Sequence, residues 1–196
     1  IYTTEGIVIK VRESGEADKI LSVFTKDFGR VELFAKGARN IKSKLNPHLD
    51  LFNHSRVSFI AGREFFRLTD ALKISSRKKI GENLIKSQTL GRIFNILEKM
   101  LQGQEKNEKL WRALLSMIKY FNSLTNEVSK TQIISFEGII LFKIMHILGY
   151  IDSTNGIFSE LDKIHEFNEI TLKKYENSTK EIFKIVNSAI KASGMV

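Results

Sequence analysis

The residues best suited to chemistry are four cations on one short stretch: Lys36, Arg39, Lys42 and Lys44. They lie in Leu33-Phe34-Ala35-Lys36-Gly37-Ala38-Arg39-Asn40-Ile41-Lys42-Ser43-Lys44-Leu45, and no acidic residue occurs from Leu33 to Leu49. Cations at this density neutralise phosphates. Each such contact releases a condensed counterion, so binding is strong and salt-dependent. Gly37 permits an unusual backbone turn, and amides beside it are expected to approach a phosphate. The bland alternative is a basic loop that is simply solvated. Aromatic residues are interleaved with cations in the same region: Phe34, Phe52, Phe59, Phe65 and Phe66 stand near Arg56, Arg63 and Arg67. Every base offers a π-face, so aromatics beside cations suit single-strand binding. Phe65 and Phe66 are adjacent in a strand pattern and point to opposite faces. Most of these rings are expected in a core, with one or two on the surface as platforms.

Catalytic patterns are missing. No Gly-rich phosphate loop with Lys-Ser/Thr, dinucleotide fingerprint or Gly-x-Ser-x-Gly elbow occurs. His48, His54, His146 and His165 have no metal-ligand spacing, and His146 reads as a satisfied, partly buried histidine. Asp18 and Asp70 read as strand-end residues with turn hydrogen bonding as their role. The chain has no cysteine, which excludes disulfides, thiolate zinc sites, iron–sulfur clusters and cysteine nucleophiles. No cofactor and no metal are expected, and the reading is of a protein that is not an enzyme.

Charge supports a polyanionic partner. Lys+Arg 31 against Asp+Glu 22 gives a net +9 over 196 residues. Residues 1–80 hold 16 basic and 9 acidic residues, a net +7, against a net +2 for the rest. Such asymmetry favours nucleic acid first and an anionic membrane surface second. No run of about 18 apolar residues predicts a membrane-spanning helix. No signal peptide is visible, and a trimmed or lost first residue is expected because the chain opens on Ile1.

The elements that must position these residues follow from periodicity. Glu5–Arg12 alternates, with Ile7, Ile9 and Val11 on one face and Lys10 and Arg12 on the other. Further strands are predicted over Ile20–Thr25, Arg30–Lys36, Ser55–Ala61 and Phe65–Lys73. Gly37 to about Phe52 reads as a loop or short helical turn. A tight meander, a long connection and a hairpin suit a five-stranded barrel of the OB type, with an open sheet covered by helices as the alternative. After Ser76 the period becomes 3.6. Helical stripes run over Leu84–Leu101, Leu110–Phe121 and Ile133–Leu148, the last apolar on most sides and so central. Gly103 and Gly149 supply stops. Residues 150–170 read as irregular around Asn155-Gly156. A last helix is expected from Ser178, with Glu181 completing a capping box and Ile182, Phe183, Val186 and Ile190 on its apolar face. The fold class is α+β, with a β-barrel over 1–78 and an all-α domain over 79–196. Basic Arg77-Lys78-Lys79 lies at the junction.

Several of these residues form an ordered series. Thr4-Glu5-Gly6-Ile7-Val8-Ile9-Lys10 is followed by Gly15-Glu16-Ala17-Asp18-Lys19-Ile20-Leu21, then Phe24-Thr25 and Gly29, then Ala35-Lys36-Gly37-Ala38-Arg39, then Lys42-Ser43-Lys44-Leu45. With Phe136-Glu137 and Leu148-Gly149-Tyr150, the series resembles the bacterial recombination mediator family RecO from Thr4 to Tyr150. The resemblance implies an N-terminal OB-fold followed by a helical domain. It implies binding of single- and double-stranded DNA, annealing of complementary strands, and work with RecR to load RecA onto DNA coated by single-stranded DNA-binding protein (SSB). It also implies docking of the acidic SSB C-terminal tail on the helical domain, and a cytoplasmic, nucleoid-associated location. DNA contact is carried onto Lys36 and Arg39, with Lys42 and Lys44 following by charge and proximity. Arg56 and Arg67 join them as cations beside aromatics. The SSB tail requires a basic side chain beside an apolar groove, for which Lys130 and Lys143 are candidates. One departure matters: many family members carry a cysteine zinc module after the Leu-Gly-Tyr segment, and residues 151–178 here hold no cysteine.

Two further readings remain beside DNA annealing. One is a protein-interaction adaptor that binds the SSB tail and RecR, with DNA contact incidental. The other is a general RNA-binding OB protein.

Overall fold

In the computed structural model, which describes residues 1–75, 78–101, 103–124, 128–152 and 167–194, the early alternation becomes five strands. β1 (Tyr2–Ser14), β2 (Asp18–Thr25) and β3 (Gly29–Ala35) form an antiparallel meander, and β4 (His54–Ile60) and β5 (Phe66–Ser75) a hairpin. β3 pairs in parallel with β5, and β4 pairs with β1, so a barrel closes in the order β1-β2-β3-β5-β4. This is the OB-type barrel, and closure removes the free edges an open sheet would leave. Alternate residues fill its interior, among them Leu21, Val23, Val31, Leu33, Val57, Phe59 and Leu68.

β1 departs from the predicted alternation. A bulge between Val8 and Lys10 slips the pattern by one residue, so Val8, with Val11 packed against the cluster, faces the interior. Ile7 and Ile9 are buried as well, outside that cluster. Ile7 lies opposite Phe24 on β2 and His54 on β4. Trp111 packs on this row, its ring 6.4 Å from Phe24 and 5.7 Å from His54. The β2–β3 turn is equally constrained. Thr25 Oγ1 accepts from the Phe28 amide at 3.0 Å and donates to the Gly29 carbonyl at 2.8 Å. Gly29 has φ +64°, and a Cβ there would overlap the backbone of Glu105. Glycine is therefore required twice over, by conformation and by space.

The chain divides into two compact units, Ile1–Arg77 with Leu101–Trp111, and Lys78–Met100 with Arg112–Val196. Among the described residues, six α-helices follow the barrel in sequence: α1 (Lys78–Gly81), α2 (Leu84–Met100), α3 (Glu108–Ser123), α4 (Lys130–Ile147), α5 (Glu169–Tyr175) and α6 (Thr179–Ala192). α4 is buried continuously from Ser135 to Met145, as its apolar run predicts, and packs against α2 and α6. Gly138 lets α6 approach closely: a Cβ there would lie 3.1 Å from Phe183 and 3.3 Å from Ile182. Gly149 ends α4's segment with φ +80°. The Nδ1–H of His146, half-buried, donates to the Ile151 carbonyl at 2.9 Å, so this histidine is hydrogen-bonded as expected. Asn155-Gly156, His165 and Arg77 lie outside the described residues. Among the described residues no helix is long and apolar enough to cross a membrane.

The expected capping box at Ser178 is not formed. Ser178 has φ −91° and ψ 2°, and its side chain makes no capping bond. Glu176–Ser178 is a 3-10 turn that runs straight into α6, whereas a capping residue needs extended backbone. The box is instead at α4. Ser129 is extended, its Oγ accepts from the Gln132 amide at 3.1 Å, and Gln132 Oε1 accepts from the Ser129 amide at 3.0 Å. Ser129→Ala is therefore expected to cost about 1 kcal/mol. Ser178→Ala should stay within about 0.5 kcal/mol of the parent. Urea unfolding of the two variants checks this, and equal losses would contradict it.

Candidate nucleic-acid interface

β3 ends at Ala35, and the basic stretch begins where its backbone turns at Gly37, φ +66°. The loop is braced from both sides. The Gly37 amide donates to Asp18 Oδ1 at 2.7 Å and the Arg39 amide to the Ala17 carbonyl at 2.8 Å. Successive turns follow, Asn40 amide to Gly37 carbonyl at 3.1 Å and Ser43 amide to Asn40 carbonyl at 2.9 Å. Lys19 Nζ donates to Asn46 Oδ1 at 2.7 Å, and Ser55 Oγ to the His48 carbonyl at 2.7 Å. The amides of Gly37, Ala38, Arg39, Asn40 and Ser43 are thus already satisfied within the protein. The expectation that amides near Gly37 meet a phosphate is corrected: the Asp18 carboxylate occupies that donor. Asp18 gets there because Lys19, its neighbour, pairs with Ala35 across β2 and β3. Its hydrogen-bonding role is the one expected. Asp70, in contrast, lies inside β5 opposite Ser58.

The four loop cations are exposed but not equivalent. Arg39 Nη1 donates to the Gly15 carbonyl at 3.1 Å, and its Nη2 lies 3.1 Å from Glu13 Oε2. Arg39 therefore ties the loop to the β1–β2 turn, and part of its charge is compensated. Lys36, Lys42 and Lys44 have no carboxylate partner among the described residues. Three ammonium groups without a carboxylate partner thus stand on a loop braced by Asp18 and Ala17.

Register identifies the neighbouring cation and aromatic ring. Phe34 lies opposite Ile20 on β2 and Arg67 on β5, and Arg67 lies opposite Ile60 on β4. Phe34 is half-buried and stands outside the interior cluster, two residues before Lys36. Phe52 and Phe59 are buried. Phe66 packs on Phe59, with ring centroids 5.1 Å apart. Phe65 is half-buried, beside Arg30 and Gln104 in a separate cleft. Phe34 is thus the aromatic next to the loop, with exposed Arg67 beside it. Arg56 is exposed too, but it faces Glu5 on β1 and Leu72 on β5. It stands four residues from Ile60, about 13 Å along β4. It does not join the strip formed by Phe34, Arg67 and the loop.

The two helical-domain lysines are not brought together. Lys130 is exposed at the start of α4, whereas Lys143 is buried, 7% exposed, thirteen residues and about 20 Å further along the helix. A different groove sets basic side chains beside apolar ones. Arg112, Leu115, Lys119 and Tyr120 of α3, with Phe167, line a cleft of about 530 Å³. Burial, and then the charge of Glu169, push the Tyr120 phenol above its ordinary 10.0 and keep it protonated. A signal was present in the sequence, because Arg112 and Lys119 are seven apart and share a helix face.

Residues 1–77 match the family described as Recombination protein O N terminal. Similar curated proteins include several described as DNA repair protein RecO. That of Halalkalibacterium halodurans is 29% identical over 121 residues, 62% of this chain and 48% of the relative. That of Dehalococcoides mccartyi strain 195 is 32% identical over 124 residues, 63% and 49%. That of Thermoanaerobacter sp. strain X514 is 29% identical over 150 residues, 76% and 58%. The chain spans about half the length of the curated relatives it matches. Residues 1–77, the closed barrel with its basic loop after β3, thus belong to the RecO N-terminal family, and the chain is similar to RecO proteins beyond them.

Proposed function

We propose that this chain is a non-enzymatic DNA-binding protein of recombinational repair that captures strands on the Phe34–Lys44 strip and anneals them. The observation that carries the reading is the set of three uncompensated lysines on a braced loop, contiguous with Phe34 and Arg67. Cations held there lower the mutual repulsion of two phosphate backbones. Base pairing then supplies the favourable free energy, so no nucleotide hydrolysis is needed. The barrel unit is the DNA-binding part and the helical unit the partner-binding part. In this reading an SSB tail, acidic with apolar side chains, docks on the α3 cleft, where Arg112 and Lys119 flank Leu115, Tyr120 and Phe167. RecR and RecA loading belong to the same reading through the family.

The test is annealing of two complementary oligonucleotides, naked and SSB-coated, without ATP at two salt concentrations. Acceleration that weakens with salt is the expected result. No acceleration on either substrate contradicts the reading. The α3 cleft favours a second reading, an adaptor, which predicts tail-peptide binding without acceleration.

A further inference from the structure

Ile41 is the most exposed large apolar side chain among the described residues, at 101% of its reference area. A lone exposed apolar residue is ordinary in itself. The setting of Ile41 is not. It sits inside the Asn40–Ser43 turn, directly after the Gly37–Asn40 turn, in a loop tied down through Asp18, Ala17, Gly15, Glu13 and Lys19. The loop is already ordered, so presenting Ile41 to a partner carries little entropic cost. Lys36, Lys42 and Lys44 surround it in sequence without carboxylate partners, so a polyanion drawn to them meets Ile41 at its surface. The β-branched side chain is stiff.

We propose that Ile41 is a wedge that enters between neighbouring bases of the strand held by the three lysines. This rests on the DNA-binding reading above. Apolar side chains beside phosphate-binding cations separate base steps in other proteins at a cost of a few kcal/mol per step. That cost is lower in a single strand, where no pairing is lost. The structure favours a nucleic acid over a lipid surface as the occupant. Phe34 and Arg67 continue the same strip as a stacking platform, and one isoleucine offers little area to a bilayer. Bases held apart by Ile41 present their pairing edges, the state in which a complementary strand is accepted.

The experiment uses the full chain and a single-stranded oligonucleotide with 2-aminopurine between adenines, whose fluorescence rises when the base unstacks. The parent protein is expected to raise it at saturation. Ile41→Ser should abolish the rise and weaken binding about three- to tenfold. Its salt slope should be unchanged, because no charge is removed. Its thermal midpoint should match the parent, since the side chain is fully exposed. Lys42→Gln is the converse control, flattening the salt slope while keeping the rise at saturation. A full rise with Ile41→Ser overturns the wedge. So does a silent probe despite salt-dependent binding by the parent, which leaves the DNA-binding reading standing. No DNA binding by the parent overturns both. Binding to phosphatidylglycerol–phosphatidylcholine vesicles that is lost in Ile41→Ser, with a silent probe, assigns Ile41 to a lipid surface and overturns the wedge.

Discussion

Charge reversal of Lys36, Lys42 and Lys44 together is expected to weaken single-stranded DNA binding by about 10²–10³-fold at 0.1 M salt. Each phosphate contact on a single strand contributes about 0.7 to the salt slope, so losing three flattens it by about 2. That accounts for roughly 100-fold at this salt concentration, and the introduced repulsion adds the rest. The fold should be unaffected, because none of the three lysines has a carboxylate partner to lose. Arg39→Glu is a different experiment. It removes the bonds to Gly15 and Glu13 and places a third carboxylate near Glu13 and Asp18. Its effect on binding is thus mixed with a loosened loop. Arg56→Glu, on the separate patch facing Glu5, should change affinity little. Fluorescence anisotropy across a salt series measures all three. A triple variant that binds within about threefold of the parent would remove the loop from the interface.

The second large effect is on stability. Glu137 lies on the central helix α4 with its side chain 8% exposed. Arg92 of α2 holds it with two hydrogen bonds, Nε to Oε1 and Nη2 to Oε2, both 2.6 Å. The hydrogen bond to Glu137 raises the Arg92 pKa against the opposing effect of burial, with their charge attraction adding to it, so the guanidinium stays charged. Arg92→Ala strands a buried carboxylate. Fully buried pairs broken in this way lose about 3–5 kcal/mol, and the lower end applies because Arg92 itself is 53% exposed. Arg92→Ala/Glu137→Gln should recover part of the loss, since a neutral amide is cheaper to bury unpaired than a carboxylate. Urea unfolding followed by helical signal checks both. An Arg92→Ala loss under about 1 kcal/mol would mean that water already satisfies Glu137.

Much of this was legible in the residues themselves. Period-two alternation marked the strands, the apolar run from Ile133 to Leu148 marked a central helix, and the carboxylate-free stretch marked the basic loop. What pairing creates was not legible. The slip at Val8 depends on how β1 meets β2, and the cover on Phe24 arrives with Trp111, far along the chain. Glu13 and Asp18 reach the loop only because the β1–β2 turn meets the end of β3, so the unequal standing of Arg39 could not be read in advance. Arg56 and Arg67 look alike in sequence, and register alone separates them. Ser129 and Ser178 each have a partner three residues on, and the preceding backbone decides which one caps.

The most direct measurement is photocross-linking of a bromodeoxyuridine-substituted single strand to the full chain, with adducts mapped by mass spectrometry. The account predicts adducts at Phe34 and within residues 36–45. Adducts confined to the helical unit, with the barrel unmodified, would contradict it.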